Sequence, residues 1–250
     1  MPRAVNYPNA CPYRRKRDRR MTNNHRQSES GNVVFFILLA IVLIGLVTVA
    51  LRSGGLEDAN VDREQISVAV SKTRQDAAEF ERGVVFILTN GVSESDLLFS
   101  HPDAPSSYGL IATTPRQQIF APEGGGAEYR RRPSNISAAG HETDPWEFFG
   151  TTALPGVGSD EADLVAVLPY VSGDFCAAVN KANGFTSNPS DTGTCIYAGD
   201  SLRFNNISTP TTYASGGAIN SNMTASRQPV TEGCAVCAGG NHFFHLLHAR

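Results

Sequence analysis

At 250 residues, 41% of them hydrophobic and with a formal net charge of −3, the chain can hold one fair-sized core or two small domains. The small total charge hides an asymmetry: residues 1–30 carry eight Lys/Arg against Asp18 and Glu29, while the rest carries thirteen Lys/Arg against twenty-two Asp/Glu. The basic leader has neither aromatic interleaving nor a folded recognition motif, which argues against a nucleic-acid partner.

Residues 1–30 read as a basic cytoplasmic leader. Met21 opens MTNNHRQSES directly before an apolar segment, so residues 1–20 are either a misassigned start or a genuine leader. No charge then occurs between Glu29 and Arg52, a run of 22 residues in which 33–51 are apolar except for Gly45 and Thr48. As a helix such a run reaches about 33 Å, enough for a hydrocarbon core of about 30 Å. A signal peptide fits less well, because the apolar region is longer than usual and Thr48-Val49-Ala50 is a poor cleavage site. Residues 31–52 are therefore expected to form a single transmembrane helix. The Arg-rich side would be cytoplasmic and residues 52–250 outside, with the lipid bilayer as first partner.

Ser53-Gly54-Gly55 reads as a break. A second helix is expected over about 61–89, capped by Asn60 and ended by Gly91, with Ser93 opening a short further turn. Residues 56–100 thus form a helical stalk and the start of the head. Residues 101–250 form a loop-rich head with short apolar islands at YGLIA, QQIFA and WEFFG. Trp146, Phe148 and Phe149 read as core, and EGGGAEYRRRPSN as a turn or mobile hairpin tip. DLVAVLPY reads as a strand. Ser172 or Asp174 would cap a short helix to about Asn183, with Cys176, Ala177 and Val179 inward. The fold class expected is α+β: a transmembrane helix, a second helix, and a small head with antiparallel strands and long loops.

Cys176, Cys195, Cys234 and Cys237 lie in the head, and Cys11 lies in the leader. An even external count fits disulfides in an oxidising compartment. Three pairings are open, and the spacing is compatible with Cys176–Cys195 plus a local Cys234–Cys237. A redox role for Cys234-Ala-Val-Cys237 lacks the helix that would activate its first thiol. Covalent haem attachment needs a histidine where Ala238 stands. Zinc on Cys234, Cys237, His242, His245 and His248 would need reduced thiols. In a strand, His242 and His248 would point one way and His245 the other. No metal, cofactor or catalytic residue is assigned, because no nucleophile elbow, zinc-protease or nucleotide motif occurs. Asn135, Asn206 and Asn222 match the glycosylation rule in a chain rich in such residues.

The segments SESGNVVFFILLAIVLIGLVTVALRSG, VDREQISVAVSKTRQDAAEFERGVV, LPYVSGDFCAAVNKANG and GCAVCAGGNHFFHLLHAR together resemble bacterial type IV pilin and pseudopilin-like proteins. More closely, they resemble bacterial single-pass proteins that begin with a GNV-apolar segment. The resemblance implies a long N-terminal helix with a small αβ head, held in the bacterial inner membrane with the head periplasmic. It implies cleavage by prepilin peptidase between Gly31 and Asn32, and packing against other pilin-like subunits through that helix. The pattern places a glutamate five positions after the cut, where this chain has Phe36. The reading is a non-enzymatic minor structural or assembly component. The alternatives are an anchored binding domain that never polymerises, or a thiol- or metal-handling protein.

Overall fold

The computed structural model describes residues 30–53, 56–110, 112–191, 195–205, 212–213, 217–218 and 229–250. Residues 1–29 of the leader, with Cys11, and the Gly54-Gly55 break, Asn206 and Asn222 lie outside them. The chain divides into two units, Met1–Gly55 and Leu56–Arg250.

In the first unit, helix α1 spans Ser30–Ser53. Every described side chain on it, residues 33–49, is exposed. Taken over its described residues, no helix is long and apolar enough to cross a membrane.

The second unit is α+β. Helix α2 (Leu56–Thr89) begins earlier than the sequence suggested, so Asn60 lies inside it rather than capping it. Its end follows expectation: Gly91, at φ 86°, receives the chain after paired bonds from Gly91 N to Leu88 O and from Val92 N to Ile87 O. Strands β1 (Glu147–Ala153) and β2 (Asp163–Val171), helix α3 (Gly173–Ala182) and strands β3 (Gly217–Ala218), β4 (Glu232–Cys237) and β5 (Gly240–His248) follow. The sheet order is β3-β1-β2-β5-β4, antiparallel throughout except for the two-residue β3, which lies parallel to β1.

Alternation along β2 divides the core in two. Leu164, Ala166 and Leu168 face a cluster with α2 and α3, whereas Val165 and Val167 face a second cluster. On the first face Phe80 of α2 meets Trp146, Phe120 and Phe148 edge to face at 5.2, 5.2 and 6.0 Å. The second face is covered by irregular chain through Leu154, Val157, Phe185, Ile196 and Val230.

Edge strand β4 would expose a row of unpaired backbone groups. Its outward groups are instead taken in turn. Asn183 Nδ2 donates to Glu232 O at 3.0 Å. The Asn180 side-chain amide both accepts from Cys234 N at 2.8 Å and donates to Cys234 O at 3.1 Å. Pro189 O and Asp191 N bond Val236 N and O at 2.9 Å each. Helix α3, capped by Ser172 Oγ accepting from Phe175 N at 3.3 Å, exists in large part to close this edge. Its buried side chains are Phe175, Cys176, Val179 and Asn180, while Ala177, expected inward, is exposed.

The Gly124–Gly126 run is packed against α2 rather than being an open hairpin tip. A Cβ on Gly125 would stand 2.5 Å from Ile119 O and 3.1 Å from the Cα of Gly83 in α2. Arg130, a few residues on, then pairs with Asp76 and Glu79 of α2 at 2.9 Å each. Gly125→Ala is expected to cost about 1–3 kcal/mol through this overpacking. Gly45→Ala, with nothing within 4 Å of its Cβ, is expected to leave the urea midpoint of the head unchanged.

Candidate functional site at the Pro169–Tyr170 bulge

Strand β2 does not run regularly to its end. Its pairing with β5 passes from Leu168↔Phe243 to Val171↔Asn241, so Pro169 and Tyr170 together stand opposite His242. Proline cannot donate to a ladder, and the extra residue is absorbed by Tyr170 at φ 49°, a costly backbone state for a bulky side chain. Tyr170 N donates to His242 Nδ1 at 3.3 Å, and His242 Nε2 then donates to Cys237 O at 3.0 Å. That pairing assigns the proton of the neutral ring to Nε2 and leaves neither nitrogen free.

Rings assemble around the bulge. His141 stacks on Tyr170 at 4.0 Å, Tyr170 meets His242 at 5.0 Å edge to face, and Tyr197 stacks on His242 at 5.1 Å. The Cys195–Cys237 disulfide lies beside them. Its two sulfurs and a His242 nitrogen are all within 4.8 Å of one another, a spacing that would suit a metal ion if the thiols were free. The bond between the sulfurs and the two hydrogen bonds of His242 leave no lone pair set for one.

Arg132 supports the bulge from below, its Nη1 donating to Pro169 O at 2.6 Å. Its Nε and Nη2 are buried without a hydrogen-bond partner, and burial pulls its pKa down to about 10. The adjacent cleft, lined by Asp103, Tyr129, Arg132, Glu142 and Asp144 among others, is ≈ 230 Å³. That is below the usual range for enclosing a small molecule, about 300–1,000 Å³. Its charges are also largely committed, Asp103 to Arg131 and Asp144 to His141.

The expected metal set is divided by the sheet. Cys234 and Cys237, three apart in a strand, face opposite sides, so the local Cys234–Cys237 bond is not formed. Cys195 pairs with Cys237 across the second face, and Cys176 lies with Cys234 on the first. His242 and His248 do not share a face as alternation implied, because the register of β5 slips between Leu246 and His248. His245 bonds Glu81 Oε2 at 3.1 Å and Glu232 Oε2 at 3.4 Å, and His248 bonds Glu94 Oε1 at 3.0 Å. Gly31 and Asn32 lie at the start of α1.

Two further features escaped the sequence. Glu147 and Arg203 form a buried bidentate pair at 2.5 and 2.8 Å. Tyr108 Oη accepts from Phe148 N at 2.9 Å and lies 3.2 Å from Glu147 Oε2, to which it donates. Burial lifts the Glu147 carboxyl above its ordinary value even with Arg203 opposing it. His101 stacks on Tyr129 at 4.0 Å, and burial holds its pKa down to about 4, as it does for His242. Asp-Leu-Val-Ala-Val-Leu-Pro carried one usable signal, a proline inside a strand pattern, which marks a bulge.

Compared with known proteins, the chain matches no family model, no curated protein and no solved structure.

The neutral histidines set an acid limit. In the unfolded chain His101 and His242 take protons near pH 6.5, but in the folded state only near 4. Their contribution is full above about pH 6.5 and is lost as the pH falls toward 4. His245 acts oppositely. Burial lowers its pKa, but Glu232 and Glu81 prevail and raise it, so its contribution is full below its unfolded value and fades as pH rises through the folded one. Urea-derived stability is therefore expected to drop between pH 6.5 and 4, with a shallower slope in His101→Phe and His242→Gln. Arg203→Met, which strands Glu147, is expected to cost about 3–5 kcal/mol.

Proposed function

We propose that the chain is a non-enzymatic, single-pass membrane protein of pilin-like organisation, a minor structural or assembly component with a disulfide-supported extracytoplasmic head. The observation that carries this reading is the surface of α1. Fourteen large apolar side chains between Val33 and Val49 are each 45–65% exposed. A helix apolar on every side must be covered by lipid or by other apolar helices. The 24 residues of α1 extend about 36 Å, and the uncharged run within them is 22 residues long. The basic residues before it favour a cytoplasmic N-terminus and a periplasmic head in the bacterial inner membrane.

The head supports a role for α1 in any assembly. At the β4 edge, Glu232 O, Cys234 and Val236 are occupied by α3 and by 189–191, so strand addition between subunits is blocked there. An apolar helix can instead exchange lipid for the same helix of a neighbour without desolvating a charge, since Phe36 stands where the pilin pattern has its glutamate.

The deciding experiment is N-terminal sequencing and intact mass of the protein from the membrane fraction. A mature chain beginning at Asn32 is the expected result and would implicate prepilin peptidase. An uncut chain that resists carbonate extraction would favour a plain anchor, and one beginning near Leu51 would mean a removed signal segment and refute the proposal.

A further inference from the structure

We infer that Cys176 and Cys234 are the sites of a second disulfide, which staples α3 to the edge strand β4 on the sheet face opposite Cys195–Cys237. Cys176 and Asn180 stand one helical turn apart, on the same side of α3. Asn180 grips the backbone of Cys234 through both its N–H and its C=O, at 2.8 and 3.1 Å. That clamp fixes the height of β4 against α3 and holds the two thiols, which are free in the structure, on the same face of the sheet. Both side chains are fully buried in the same apolar cluster. With Cys195 bonded to Cys237, this pairing is the one that remains of the three the sequence allowed.

The chemistry balances through thiol–disulfide exchange. The Cys176 thiolate attacks a disulfide carried by an exchange partner, such as an oxidised thiol–disulfide oxidoreductase or glutathione disulfide, and expels one partner thiolate. The Cys234 thiolate then attacks the Cys176 sulfur, forming the protein bond and releasing the partner's second thiolate. Two electrons pass to the partner, and the two thiol protons end on its sulfurs. Once α3 has closed over β4 no such partner reaches either sulfur, and burial pushes the Cys234 thiol well above its ordinary pKa. The bond therefore forms while the helix is still docking and is afterwards inert.

The inference rests on geometry within the head and not on its location, so its test is kept apart from the membrane question. The full chain, reduced and unfolded, is refolded in detergent with glutathione disulfide, then denatured without reductant and exposed to N-ethylmaleimide. The expected result is a peptide linking Cys176 to Cys234, with none of the four head cysteines labelled and the head four hydrogens lighter than its reduced form. In Cys195→Ser/Cys237→Ser protein the same linked peptide should persist. Label on both Cys176 and Cys234 in chains whose Cys195–Cys237 bond has formed would overturn the inference. So would Cys176 linked to any other cysteine.

Discussion

The head is governed by one constraint: its central strand is apolar on both sides. Leu164, Ala166 and Leu168 need one cover and Val165 and Val167 another, and a strand in the middle of a sheet cannot turn either set toward water. The first face is covered economically. Helix α2 lays Phe80, Val84 and Ile87 on it, and α3 adds Phe175 and Val179. The second face has no helix among the described residues. Its cover is irregular chain carrying Leu154, Val157, Phe185 and Ile196. Irregular chain makes few backbone bonds of its own and loses much conformational freedom on docking. Cys195–Cys237 offsets that cost by tying the cover to β4.

The same constraint explains where local rules break. β2 must leave the sheet and feed α3, and it does so through Pro169 and a left-handed Tyr170. The strain is held by groups that contribute nothing else obvious: Arg132 under Pro169, His242 receiving the Tyr170 N–H, and rings stacked on either side. A neutral buried histidine with both nitrogens committed is poorly suited to moving protons. The arrangement is better read as bracing for the disulfide-tied cover than as a reaction centre.

Much of this was legible because it is local. An amphipathic helix over about 61–89, a capping Ser172, a run of apolar residues before it and a terminal strand all announce themselves through period and punctuation. What escaped depends on which residues meet across the sheet. The alternation that separates His242 from His245 also separates Cys234 from Cys237, yet the short Cys-x-x-Cys spacing suggested a local bond. A register slip after Leu246 then removed the symmetry expected of His242 and His248. The Gly124–Gly126 run looked like an open tip because its partner, Gly83, is distant in sequence. Glu147–Arg203 and the Asn180 clamp are likewise long-range, and no pattern within a window of a few residues encodes them.

The central claim is that the second face is closed by a cover whose hold depends on Cys195–Cys237, while the helical face stands without it. Peptide-resolved hydrogen exchange on Cys195→Ala/Cys237→Ala protein tests this most directly. The account predicts faster exchange in 185–191 and 195–200, with protection kept in α2 over 69–88 and in β2. Unchanged protection in 195–200, or equal loss across α2 and β2, would contradict it.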